Sequence, residues 1–340
     1  MSPSSIPVYF DRRQLAHRPL QELHNGGWAA YAEKSDRAEN ILSRLAAARP
    51  VTDFGMKPIL KVHDADYVEF LKIAHQEWRA AGRQGDAIGY TWPVVRRRHV
   101  PLQRIDARLG RYSFDAATPI AEGSWEAAYW SAQAALSGLS AITSGKARTV
   151  FSLCRPPGHH AGRDYCGGYC YLNNVAIAAG EARLQGRRAA ILDIDYHHGN
   201  GTQDIFYDDG EILFVSIHAD PATDYPFYWG HADEVGEGEG KGTNLNLPLP
   251  RGTGLADYLL ALERAVEAIA AHCPDLLLLS FGADTFEGDP ISSFRLRRDD
   301  YPVVAARISQ LGIPMLVVME GGYAVGELGE NVEAFLSGLE

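Results

Sequence analysis

Cysteine is scarce: Cys154, Cys166, Cys170 and Cys273 are the only four in 340 residues. Cys166 and Cys170 loosely resemble a metal-binding pair, but no second pair and no adjacent histidine cluster completes a structural zinc knuckle. The reading that remains is idle thiols in a reducing compartment. Long apolar runs are also missing. No stretch of about 18 residues is apolar throughout, so no membrane-spanning helix is expected. The opening MSPSSIPVYFDRRQL has no basic segment followed by an apolar run, so no signal peptide is expected and the cytoplasm is the default location. Positive charge is in deficit, with 32 Lys and Arg against 43 Asp and Glu and a formal net charge of −11. A field of that sign repels nucleic acid and anionic membranes and mildly attracts cations. Internal repeats and low-complexity segments are absent.

What is present is an alternation. Short aliphatic or β-branched runs lie at Thr149–Leu153, Ala189–Ile194, Ile212–Ile217, Leu276–Phe281 and Met315–Met319. Between them Asn174–Leu184, Leu255–Ala271 and Pro302–Leu311 carry apolar residues at three- and four-residue spacing. Continuous apolar strands suit a sheet covered on both faces, and strand–helix alternation argues a parallel, doubly wound α/β sheet. Gly82–Pro119 and Asp220–Arg251 read as long loops, the first rich in Gly, Pro and Arg, the second in Gly, Pro and acids. The same pattern resumes after each, so one domain over residues 1–340 is expected.

Polar residues gather just past the ends of four of these strands: Arg155-Pro-Pro-Gly-His159-His160, Asp193-Ile-Asp195-Tyr-His197-His198-Gly199-Asn200, Gly282-Ala-Asp284 and Glu320-Gly-Gly-Tyr323. Ligand crevices of open α/β sheets lie outside the carboxyl ends of the strands. On an extended strand end Asp195 and His197 point to one side. Taken singly, Asp-x-His is common and reads as loop-start residues bonding to backbone. With Asp284 from another strand end the set becomes three ligands and an open position, the catalytic zinc pattern. His198 should point the other way. The Pro-Pro-Gly turn presents His159 and His160 rigidly, which suits one general base and one electrostatic partner, with Asp193 and Asn200 placed to fix the rings. Gly321-Gly322 lets the backbone come close and swing Tyr323 into the crevice, where a phenol can donate to a developing oxyanion.

Together RPPGHHA, GGYCYLNN, LDIDYHHGNGTQ, SFGADTFEGDP and EGGY resemble, in order, the metal-dependent deacetylases of the arginase–deacetylase superfamily. The resemblance implies a three-layer α/β fold, an eight-stranded parallel sheet with helices on both faces. It implies one catalytic zinc on Asp195, His197 and Asp284, with iron or cobalt as the alternative metal. His160 resembles the general base, His159 the electrostatic partner paired with Asp193, and Tyr323 the carbonyl activator; Asn200 stands where some deacetylases have Asp. A structural potassium or sodium ion is implied at Asp193, Asp195, His197, Ser216 and Ile217. Gly168, Tyr169 and Tyr225 resemble the walls of a narrow tunnel for an alkyl chain.

Within that family the early chain is most similar to the bacterial acetylpolyamine amidohydrolases, through LKVHDADYVEFL and the insertion at about 82–119. The resemblance implies a homodimer built through the insertion and a small cationic acetylated amine as substrate. Its distal ammonium groups would meet acids, for which Asp106 and Glu22 are the candidates. Another acid is expected near Ala117, where only Asp115 is close. Arg96-Arg97-Arg98, Arg104 and Arg108 oppose a polycation unless they are paired or turned outward. The alternative functions are an acetyl-lysine protein deacetylase or a hydrolase of another small amide. A non-catalytic binding module would require a lost ligand or tyrosine, and arginase-type hydrolysis further carboxylates for a second metal. Neither condition is met.

Overall fold

The computed structural model describes residues 5–24, 26–93 and 100–340. The Arg96-Arg97-Arg98 run lies outside them. The strands are β1 (Val8–Tyr9), β2 (Gln21–His24), β3 (Gly27–Ala30), β4 (Thr149–Ser152), β5 (Ala189–Asp193), β6 (Leu213–Ala219), β7 (Asn244–Leu249), β8 (Leu276–Phe281) and β9 (Met315–Met319). The helices are α1 (Ser35–Arg44), α2 (Ala65–Ala80), α3 (Ile105–Tyr112), α4 (Ser124–Thr143), α5 (Asn174–Leu184), α6 (Asn200–Phe206), α7 (Leu255–His272), α8 (Tyr301–Ser309) and α9 (Val325–Ser337).

Seven strands form one all-parallel sheet in the order β1-β4-β9-β8-β5-β6-β7, while β2 and β3 make a separate antiparallel hairpin. The parallel α/β architecture matches expectation, but the sheet has seven strands among the described residues in place of eight. Beyond β1 only a single parallel bridge, Tyr9 with Arg49, extends it. Pro50 follows at once, and a proline cannot donate the next ladder bond.

The run Leu276–Phe281 shows why these strands are apolar throughout. Leu277, Leu279 and Phe281 pack into one core with residues of α1, α7, α8 and α9. Leu276 and Leu278 pack into the other, with residues of α2, α3, α4, α5 and α6. Strict alternation in a fully buried strand therefore serves two cores at once, each such leucine contributing roughly 1.5–3 kcal/mol. Local signals agree with this layout. The side chain of Asn173 caps α5 by accepting from Ala176 N at 3.0 Å.

The two expected loops both hold regular structure. Inside 82–119, α3 forms because Ile105, Leu109 and Tyr112 fall on one helical stripe and bury in the α2 side of the core. Inside 220–251, β7 pairs with β6. No helix among the described residues is long and apolar enough to cross a membrane.

Candidate active site

The sheet delivers its polar residues to one end. Asp193 closes β5, and Asp195 and His197 follow it; Asp284 follows β8, Glu320 to Tyr323 follow β9, and His159 and His160 follow β4. Because β8 lies between β5 and β9, the three carboxylate-bearing turns are neighbours.

One ligand atom each from Asp195, His197 and Asp284 lie within 4.8 Å of one another. His197 Nδ1 stands 3.2 Å from Asp284 Oδ2 and 3.4 Å from Asp195 Oδ1. Burial and the charge of Asp195 push Asp284 upward. Burial opposes a charge on His197 as well, yet the two carboxylates raise it to about 10. Two buried acids facing a protonated imidazole form a donor set of the type that fits a divalent cation, which would replace that proton.

The histidine pair stands beside this set, the two rings 4.1 Å apart. His159 Nδ1 lies 3.0 Å from Asp193 Oδ2. Burial disfavours its cation, but Asp193, Asp195 and Glu320 outweigh that and raise it to about 10. His160 Nδ1 donates to Asn200 Oδ1 at 2.7 Å, which leaves its Nε2 as an acceptor. Burial and the charges of His159 and His197 hold His160 well below the ordinary imidazole range. His198 turns away: its ring meets His218 at 4.5 Å and its Nε2 reaches Asn246 Oδ1 at 3.2 Å. Ser216 is the register partner of Asp193 across β5 and β6, and its hydroxyl bonds His218 Nδ1 at 2.8 Å.

A cavity of about 230 Å³ reaches His160 and His197 from the surface, with Gly168, Tyr169, Tyr225 and Tyr323 on its walls. Tyr225 stands 5.2 Å from the His160 ring and Tyr169 5.5 Å from Tyr323, each edge to face. Gly168 has φ +53, and a Cβ there would lie 2.1 Å from the His160 ring. Only glycine lets the wall close on the histidine.

Two residues expected to meet substrate lie elsewhere. Asp106, in the first turn of α3, does not line the cavity; Arg83 and Arg104 hold its carboxylate at 2.5 and 2.8 Å. Arg108 is likewise engaged, by Glu77, so neither Arg104 nor Arg108 is unpaired. Glu22 sits one layer behind the wall, accepting from the Tyr169 hydroxyl at 3.1 Å. Burial, with a contribution from Asp115, pushes Glu22 up to about 7.

Asp115, noticed in the sequence only for its closeness to Ala117, lies on the cavity wall. Its Oδ2 accepts from Gly168 N at 2.7 Å and from the Tyr225 hydroxyl at 2.8 Å, and burial pushes its carboxyl up. At the rim Asp224 is held by Arg251 at 2.8 Å and by the Tyr196 hydroxyl at 2.7 Å. Arg37, unremarked in the sequence, donates to the carbonyls of Glu320 and Gly322, each at 2.6 Å, and so holds the turn before Tyr323. No local motif marks Arg37. The two carbonyls it holds lie 285 and 283 residues away in the chain.

Comparison with known proteins agrees with this geometry. Residues 31–339 match the histone deacetylase domain. The chain is 49% identical to acetylpolyamine amidohydrolase 2 of Pseudomonas aeruginosa, over 98% of each chain. It is 44% identical to the acetylpolyamine amidohydrolase of Mycoplana ramosa, over 98% of this chain and 99% of the other. The crystal structure of an acetylpolyamine aminohydrolase from Burkholderia pseudomallei superposes with a TM-score of 0.94 at 38% identity, covering 98% of both chains. A family match over most of the chain, relatives of equal length and one shared fold lead to a single conclusion: this chain belongs to the histone deacetylase family, a family of deacetylase enzymes.

Proposed function

We propose that this chain is a metal-dependent amide hydrolase that removes the acetyl group from small N-acetylated polyamines. One observation carries the reading: Asp195, His197 and Asp284 meet beside a histidine pair and a buried tyrosine at the floor of a narrow, aromatic-walled cavity. The full-length relatives named acetylpolyamine amidohydrolases support the substrate class.

The mixed oxygen and nitrogen donors suit zinc, with iron or cobalt as chemically acceptable substitutes. A divalent cation held by these three residues supplies polarisation of the amide carbonyl and a water of lowered pKa. His160, kept neutral by its surroundings, accepts the proton of the attacking water at Nε2. It then returns that proton to the amine nitrogen as the C–N bond breaks, giving acetate and free amine. Burial keeps the Tyr323 phenol protonated, so it can donate to the developing oxyanion. His159, held cationic among Asp193, Asp195 and Glu320, adds fixed positive charge on the same side. Gly168, Tyr169 and Tyr225 enclose the methylenes and exclude water. Asp115 provides the negative charge on the wall that the distal ammonium meets.

A potassium or sodium ion is proposed among Asp193, Asp195, His197, Ser216 and Ile217; the pairing of Asp193 with Ser216 supports it. One domain from residue 1 to 340 and a cytoplasmic location complete the reading. A homodimer through the 82–119 insertion is proposed because Leu20, Trp28 and Tyr90 are 79%, 64% and 67% exposed. The insertion is also tied to the β2–β3 region, Leu20 N donating to Asp86 Oδ2 at 3.1 Å.

The test is a rate comparison of the zinc-loaded protein on acetylputrescine, acetylspermidine, an acetyl-lysine peptide and a neutral alkyl acetamide. The expected result is a kcat/KM at least about tenfold higher on the two polyamines. Preference for the peptide or the neutral amide overturns the substrate assignment and leaves the hydrolytic chemistry standing.

A further inference from the structure

The turn that carries Tyr323 has almost no side chains of its own with which to hold itself. A Cβ at Gly321 would lie 2.4 Å from Asp284 Oδ2 and 2.6 Å from Asp195 Oδ2, and Gly322 has φ +121. Bare backbone is what lets the turn pass over the two carboxylates. Its position is therefore imposed from outside. Gly321 N donates to Asp195 Oδ2 at 2.8 Å, and Arg37 holds the carbonyls of Glu320 and Gly322. These anchors stop one residue short of the tyrosine.

Asp289, on the segment after β8, takes over there. Its Oδ2 accepts from Tyr323 N at 2.6 Å and from Ala324 N at 3.1 Å. Its Oδ1 accepts from Ile291 N at 3.1 Å. The residue is 7% exposed. Ile291 lines the cavity and packs against the cluster of Tyr31, Tyr169 and Tyr323. We propose that Asp289 is the positioning residue for Tyr323: its carboxylate ties the tyrosine backbone to that of the wall residue Ile291. The phenol and the tunnel wall are thereby set from one point. This rests on the reading of Tyr323 as the oxyanion donor. Sub-ångström placement of such a donor governs rate, so loss of its anchor acts on kcat before KM.

Asp289→Asn keeps one acceptor but turns an amide N–H toward backbone donors. Measured on the zinc-loaded enzyme with acetylputrescine, it should lower kcat about 10- to 100-fold, with KM within about threefold and zinc content unchanged. In a Tyr323→Phe background the same change should cost less than about twofold more, because the group it positions is gone. Losses that multiply, with Tyr323→Phe itself strongly impaired, overturn the role of Asp289 alone. If Tyr323→Phe is as active as wild type, the reading of the tyrosine falls and this inference with it. Amide exchange in the wild-type protein supplies a measurement independent of any variant. The Tyr323 amide should be among the slowest of residues 320–324, and fast exchange there overturns the proposal.

Discussion

At the floor of the cavity each functional side chain is held by a neighbour: His159 by Asp193, His160 by Asn200, and Tyr323 through its backbone by Asp289. Away from the floor, at the rim and beside the insertion, the charged side chains hold one another: Asp224 with Arg251, Asp106 with Arg83 and Arg104, Glu77 with Arg108. The floor is buried, and an unpaired polar group there costs the full desolvation penalty. Its geometry is therefore fixed, and function can rest on it. At the outer pairs the acids Asp106 and Asp224 are buried but their arginines reach water, so these contacts can be rearranged more readily than the floor. Chemistry is expected to fail sharply when the floor is altered, and substrate preference to drift when the rim is.

The largest effect tests the floor against itself. His160→Ala should lower kcat by about 10²- to 10⁴-fold, the usual range for a general base. His198→Ala, one ring removed from the Asn246 and His218 contacts, should cost less than about tenfold in kcat and show mainly in Tm. Steady-state kinetics and thermal melts on both variants decide it. Equal losses in kcat would remove the distinction between the ring that faces the cavity and the one that does not.

A smaller effect separates two acids, Asp115 on the cavity wall and Asp106 in the first turn of α3. Asp115→Asn should reduce kcat/KM on acetylputrescine about tenfold, by removing wall charge and loosening Tyr225, and should matter less for a neutral acetamide. Asp106→Asn should leave kcat/KM within about twofold and lower stability by about 1–2 kcal/mol, through weakened bonds to Arg83 and Arg104. The reverse outcome, a fall in kcat/KM at unchanged Tm for Asp106→Asn, would return Asp106 to the substrate across a subunit boundary.

The same contrast explains what could be read in advance. The strands β5, β8 and β9 and the helices α5 and α7 follow from local pattern: apolar runs of strand length and helical spacing. The floor residues were legible because strand ends set their direction and the motifs are contiguous. Asp106 stands outside the cavity lining because Arg83, on another segment, takes its carboxylate, which nothing local in the sequence reports. α3 was passed over because a stripe of three apolar residues is short and Gly110 interrupts it. β7 was hidden by its two asparagines, Asn244 and Asn246, whose amides are met by Gln203. Beyond β1 the described residues add one bridge at Arg49 and no eighth strand, and Pro50 has no N–H for the next ladder bond. Arg37 and Asp289 act through backbone contacts with a distant turn, which spacing along the chain does not encode.

The smallest effect is a pH dependence of stability at the layer behind the wall. Glu22 is pushed up to about 7 in the folded chain from an ordinary carboxyl value of 4.5, by burial first and then by the charge of Asp115, although the Tyr169 hydroxyl partly opposes the shift. A raised carboxyl binds its proton more tightly folded than unfolded, so stability contributed by the protonated form is complete below about pH 4.5 and is lost as pH rises through about 7. Glu22→Gln imitates the protonated side chain at every pH. The Tm difference between Glu22→Gln and wild type should therefore be near zero at about pH 5 and grow in favour of the variant toward pH 8. A difference that stays flat across this range would place Glu22 with the acids whose charge is balanced by an arginine, such as Asp106 and Asp224. A difference that grows would place it with the floor, as a buried carboxyl behind Tyr169 whose protonation relieves the cost of its burial.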